Sequence, residues 1–210
     1  MKNKLEDLVA KYPIIFRDRH GDVTRTAMCW GFECGDGWYD LLDVLCANIQ
    51  NHVDNARKYR ARTIRFNRAL KRAWAGDINA LMRYHTNDKN KGPSDWTYDS
   101  VERDLREVHE LREVPKRVKK VIAVQVKEKF GGLRFYYDGG DSVISGMVQM
   151  AEGMSYRTCE ICGCQAQTRR DRWITTQCDP CYNNREQRRA QELADYNDSM
   201  EETYKNIDGC

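Results

Sequence analysis

Two cysteine pairs, Cys159-x2-Cys162 and Cys178-x2-Cys181, stand fifteen residues apart and constrain this chain more than any other feature. The C-x2-C-x15-C-x2-C spacing falls in the window of four-thiolate zinc sites. A two-residue gap lets both thiols of a pair reach one ion, and zinc takes four such ligands at tetrahedral corners about 2.3 Å away. Gly163, directly after the first pair, suits a knuckle that turns back through positive φ. The spacing therefore predicts one structural zinc ion on Cys159, Cys162, Cys178 and Cys181, in preference to two disulfides or four unrelated thiols. Four protein ligands leave no open position, so catalytic zinc is not expected.

The rest of the chain agrees with metal over disulfides. Nine cysteines occur in 210 residues whose first segment has no apolar signal core, which fits a reducing compartment. No apolar run approaches the ~18 residues of a membrane helix, so a cytoplasmic protein without a membrane partner is expected. Hydrophobic residues reach 40%, enough for a core, and the net charge is only +3. Any nucleic-acid surface must then come from local segregation of charge.

The pattern along the chain predicts an α+β fold: helices packed with a β-hairpin, plus a C-terminal zinc module. Leu5, Leu8 and Val9 mark a short first helix that Pro13 ends. The stretch 26–39 (TAMCWGFECGDGWY) reads as a packed loop or short strands. From Asp40 a strong helix follows, continuous or interrupted as far as Trp74, with a further turn or two over 78–84 and a loop over 87–94. Asp99 and Glu102 read as a capping box opening a helix that carries Val101, Leu105, Val108 and Leu111. Strands over 121–126 and 133–137 flank a turn at Gly131-Gly132, with Ile122, Val124, Val126 and Phe130 on the buried face. A helix with Val143, Ile144, Met147, Met150 and Met154 on its apolar positions leads into Cys159.

After the first pair, Trp173 to Thr176 reads as a short strand, and a polar helix covers roughly 182–204. Knuckle, hairpin and helix would make a treble-clef-like unit; a zinc ribbon is the alternative. The expected divisions are residues 1–157, with 54–115 a helical insertion, then the zinc module at 158–182 and a polar helix at 183–210. That helix is polar all round, so it is frayed or docks on a partner or a second copy.

Several segments together resemble a family of uncharacterised small proteins from tailed bacteriophages. They are Lys11-Tyr12-Pro13, the stretch 26–39, the hairpin 121–137, Cys159 to Gly163, Trp173 and the second cysteine pair. The resemblance covers roughly residues 8–50 and 116–181. It implies a phage-encoded protein acting in the bacterial host cytoplasm and brings no activity with it.

The second chemical feature is charge. Arg57, Lys58, Arg60, Arg62, Arg65, Arg68, Lys71 and Arg72 fall between Asn55 and Ala75, where no acidic residue occurs. At 100° per residue, Tyr59, Phe66, Leu70, Ala73 and Trp74 form a narrow apolar stripe and the basic residues fill most of the other side. The bland interpretation is a solvated face balanced by Glu102, Asp104, Glu107 and Glu110. The functional one is a surface for nucleic acid or for an acidic host protein. Further cations surround the hairpin (Lys116, Arg117, Lys119, Lys120, Lys127, Lys129, Arg134), and Arg169, Arg170 and Arg172 lie between the cysteine pairs.

Other sites are weaker. Cys29, Cys34, Cys46 and His52 are irregularly spaced for a second metal site and read better as small buried groups. Glu33, Asp36, Asp40 and Asp43 could gather magnesium, but two of them suit a helix start. No nucleophile, base and orienter assemble, so an enzyme, here a metal-dependent hydrolase, is the weakest class. The leading expectation is an accessory protein binding nucleic acid or a nucleic-acid-processing complex. The alternative is an inhibitor or modulator of a host enzyme or antiviral defence complex, with the zinc purely structural.

Overall fold

Pro13 has no N–H to continue a helix, and α1 (Glu6–Lys11) stops two residues before it. In chain order there follow β1 (Phe32–Glu33), α2 (Tyr39–Trp74), α3 (Asn79–His85), α4 (Asp95–Glu107), β2 (Lys119–Lys129) and β3 (Gly132–Gly140). Then come α5 (Ser142–Ser155), β4 (Gln167–Arg169), β5 (Thr175–Gln177) and α6 (Asp179–Ile207). The computed structural model describes residues 4–86 and 92–207, so most of the loop expected at 87–94 lies outside the described residues. The mixture of helix and small sheets is α+β. The chain forms two compact units: residues up to Gln50 together with those from Lys120 onward, and Asn51–Lys119.

In the first unit, the stretch 26–39 becomes two 3₁₀ turns, Ala27–Trp30 and Asp36–Trp38, around β1. The Thr26 hydroxyl caps the first turn by accepting from the Met28 N–H. The sheet has the order β1-β2-β3, and β1 lies parallel to β2 with Phe32 opposite Val126. The hairpin turn is Phe130-Gly131, one residue earlier than expected, and both residues have positive φ (54° and 77°). Two-residue hairpin loops need this because only such turns match the strands' twist. Phe130 is consequently exposed at the tip rather than on the buried face. The buried face of β2 also shifts phase: Val121, Ala123 and Val126 are buried, whereas Ile122 and Val124 are half-buried.

Helix α5 packs on β3 through Ile144, Val148, Ala151 and Ser155. The expected apolar positions are therefore only partly right: Ile144 is buried, while Val143, Met150 and Met154 are exposed. The reason is polar. β3 is an edge strand, and unpaired edge N–H groups need acceptors. The Ser155 hydroxyl accepts from Leu133 N–H (2.8 Å) and the Glu152 carboxylate from Phe135 N–H (3.0 Å). This fixes which side of the helix meets the sheet.

In the second unit, the later part of α2 packs with α3 and α4 around Phe66, Leu70, Ala73, Leu81 and Val101. Tyr59 and Trp74, expected on the buried stripe, are exposed, and Thr63, Asn67 and Ala69 are buried instead. Asn67 explains part of the shift. Its amide donates to the Arg112 carbonyl (2.7 Å) and accepts from the Arg112 N–H (3.1 Å), as a backbone partner would. The Arg112 guanidinium then lies over the Phe66 ring, 3.7 Å from its centre.

Helix α4 starts a turn earlier than the expected Asp99–Glu102 box. Ser94 is the N-cap, and its N–H donates to the Thr97 hydroxyl. The helix also ends at Glu107, so Val108 and Leu111 lie beyond it. Asp104 is buried against His85, with 2.6 Å between Oδ2 and Nε2. Removing one partner of a buried polar pair leaves the other desolvated, so Asp104→Ala is expected to cost about 1–3 kcal/mol in chemical denaturation. An unchanged midpoint would show that the pair does not hold α3 to α4.

Candidate metal centre and basic surfaces

The first cysteine pair sits on a closed knuckle. Thr158 bridges to Gln165, Cys159 N–H donates to Cys164 O (2.7 Å) and Gly163 N–H donates to Cys159 O (2.8 Å). Gly163 has φ 79°, the left-handed turn expected of it. β4 and β5 then form a small antiparallel hairpin with Thr168 opposite Thr176. Cys178 immediately precedes α6 and Cys181 lies in its first turn.

The four sulfurs converge. Sγ atoms of Cys159, Cys162, Cys178 and Cys181 all lie within 4.8 Å of one another, and Cys162 and Cys178 are 3.5 Å apart. A tetrahedron with 2.3 Å metal–sulfur bonds has an edge of about 3.8 Å. The quartet can therefore hold a metal ion, and its members are free thiols rather than disulfides. Burial opposes ionisation of Cys159, yet the N–H groups of Cys178, Cys162 and Ile161 bring its thiol down to about 7. Burial and the neighbouring thiols push Cys181 up. Such a set ionises fully only when a cation joins it.

The knuckle also has a partner that the sequence pattern did not announce. Residues 35–38 lie against it: Gly37 N–H donates to the Glu160 carbonyl (2.8 Å), Gly35 N–H to the Glu160 carboxylate (3.0 Å), and Trp38 Nε1 to the Thr158 carbonyl (2.9 Å). Trp38 is fully buried. A Cβ on Gly37 would stand 2.3 Å from the Cys159 carbonyl oxygen, so only glycine permits this approach. The cysteine quartet is thus built into the first unit. The only hint in the sequence was the Gly35-Asp36-Gly37-Trp38 run itself.

The basic residues of α2 divide into two sets. Arg60 donates to the Pro115 carbonyl, Arg62 to the Tyr84 hydroxyl, and Arg72 pairs with Asp77. Arg57, Lys58, Arg65, Arg68 and Lys71 are exposed and have no ion-pair partner among the described residues. Two of the four expected counter-charges are engaged elsewhere, Asp104 with His85 and Glu102 with Arg106, and among the described residues neither Glu107 nor Glu110 forms an ion pair with these cations. In the loop between the cysteine pairs, Arg169 is half-buried over the Tyr182 ring and paired with Asp179, whereas Arg170 and Arg172 are exposed.

The weaker sites do not assemble among the described residues. The cysteine quartet is the one group there that brings three or more potential ligands together. Cys29 donates to the Thr26 carbonyl, and burial pushes the Cys34 and Cys46 thiols up; Cys46 is a core group, whereas Cys29 and Cys34 are half-buried. Asp43 is tied to Lys11 and Tyr12, and Glu33 to Gln125. No described helix is long and apolar enough to cross a membrane. Comparison with protein-family models, curated proteins and solved structures finds no match to this chain.

Proposed function

We propose that the quartet holds one structural zinc ion in a treble-clef-like module, and that the protein is an accessory factor that binds nucleic acid through its basic surfaces. Thiolate ligands at tetrahedral spacing favour zinc, and the order of knuckle, hairpin and helix favours the treble clef over a ribbon. Resemblance to small tailed-phage proteins supports action in the bacterial cytoplasm during infection.

The observation that carries the binding assignment is the row of unpaired cations on α2. Arg57, Lys58, Arg65, Arg68 and Lys71 occupy one side of the helix, an arc of about 140° at 100° per residue. Arg57 and Lys71 are fourteen helical rises apart, about 21 Å. That length equals the axial rise of about six base pairs of duplex. Zinc here organises the fold and takes no part in chemistry.

Fluorescence anisotropy with short duplexes at several salt concentrations tests this. If all five cations meet phosphates, the log–log salt slope should be about −4.5, and Arg65→Ala/Arg68→Ala/Lys71→Ala should flatten it by about 2.7. Equal binding and equal slope in the triple variant would remove α2 as the contact surface. A stoichiometric host protein captured after nuclease treatment, with no oligonucleotide binding at low salt, would favour an acidic protein partner instead.

A further inference from the structure

We propose that the hairpin tip and the loop between the cysteine pairs form a stacking surface for single-stranded nucleic acid, with Phe130 and Trp173 as its platforms; this deepens, and rests on, the nucleic-acid assignment above.

The first observation is Phe130 itself. It holds φ 54° in the two-residue turn, where asparagine or glycine is the favoured occupant. A bulky L-residue in the left-handed region costs backbone energy. Packing does not offset that cost, because Phe130 is 62% exposed. An aromatic ring held in a disfavoured conformation and directed into solvent suits a role outside the fold.

Trp173 provides the second platform. At 71% it is the most exposed large apolar side chain among the described residues. The tip and the loop are in contact through their neighbours. The Thr176 hydroxyl donates to the Gly131 carbonyl at 2.6 Å, and a Cβ on Gly131 would stand 3.2 Å from Ile174 Cγ2. Phe130 and Trp173 are therefore each one residue from that junction.

The charge around this junction selects the ligand. Lys129 Nζ lies 5.4 Å from the Phe130 ring centre, and Lys127 Nζ 5.6 Å from that of Tyr136. Exposed Arg170 and Arg172 have no acidic partner among the described residues. The nearby acids are engaged: Glu128 accepts from Gly131 N–H, and Asp171 is held by Arg185 and Tyr182. Exposed aromatic faces ringed by cations match a strand whose bases are unstacked and whose backbone is anionic. A duplex hides its base faces, and an apolar protein groove would not favour the cations.

The test compares binding of a dT oligonucleotide and a duplex of equal length by wild type, Phe130→Asn/Trp173→Ala and Arg65→Ala/Arg68→Ala/Lys71→Ala. The tip variant should lose at least about tenfold in affinity for the single strand and change duplex affinity less than twofold. Its melting temperature should be unchanged or higher, since asparagine suits the turn, which separates lost stacking from lost folding. Wild-type single-strand affinity in the tip variant overturns the stacking surface; if the α2 variant loses duplex binding in the same series, the broader assignment survives. Loss in the tip variant with a fully active α2 variant keeps the stacking surface and removes α2. No binding by wild type to either probe at low salt overturns both.

Discussion

Replacing Cys159 with serine, or stripping the metal with a chelator, is expected to unfold the cysteine module and loosen residues 35–38 along with it. Structural zinc contributes about 10–16 kcal/mol of apparent binding energy in modules of this kind. Whole-domain stability is only about 5–15 kcal/mol, so no other interaction in the module can substitute for the ion. The effect should travel because three hydrogen bonds join the knuckle to Gly35, Gly37 and Trp38. Once the knuckle opens, the buried Trp38 indole loses its acceptor on Thr158.

Metal analysis should give one zinc per chain, falling to none in Cys159→Ser. Hydrogen exchange should accelerate at Gly35 and Gly37 as well as across the module, while Asn51–Lys119 keeps its protection. Unchanged exchange at residues 35–38 after metal loss would show that the module is an independent appendage.

Gly37→Ala should disturb the same site without touching a ligand. Its Cβ would meet the Cys159 carbonyl oxygen at 2.3 Å, the Glu160 oxygen at 2.6 Å and the Cys162 nitrogen at 2.7 Å. All three are backbone atoms of the knuckle, so no side chain can swing aside. The cost should reach the top of the overpacking range, about 3 kcal/mol, with weaker metal retention in a chelator competition. Gly146→Ala is the matched control. Gly146 sits inside α5 with nothing within 4 Å of its added Cβ, so the same substitution should stabilise by about 0.8–1 kcal/mol through helix propensity. Equal effects of the two substitutions would mean that generic glycine chemistry, rather than close approach, governs position 37.

The contrast between these two glycines shows where sequence reading reaches its limit. Local sequence places Gly37 in a loop and Gly146 in a helix, but it does not say which of them another segment approaches. The distinction arises because Gly37 faces a segment more than a hundred residues away. The same limit appears in α5, where Val143, Met150 and Met154 were expected at packed positions and are exposed. The edge N–H groups of Leu133 and Phe135, needing Ser155 and Glu152, set the side that meets the sheet. In α2, Tyr59 and Trp74 fitted the stripe by hydropathy, yet Asn67 is buried because the Arg112 backbone offers it both a donor and an acceptor. Phe130 fitted an alternating strand, but turn geometry placed it at the tip.

The sequence by itself determined the features whose cause is local. Cysteine spacing brings each thiol pair to one point, Gly163 permits the knuckle's positive φ, and Pro13 ends α1. The missing acids between Asn55 and Ala75 likewise left a cationic helix surface. Only the tertiary structure decided which of those cations stay unpaired, how the knuckle meets Gly35 to Trp38, and that Phe130 and Trp173 flank one junction. These depend on distant groups satisfying one another's hydrogen bonds and volumes, and residue spacing carries no record of that.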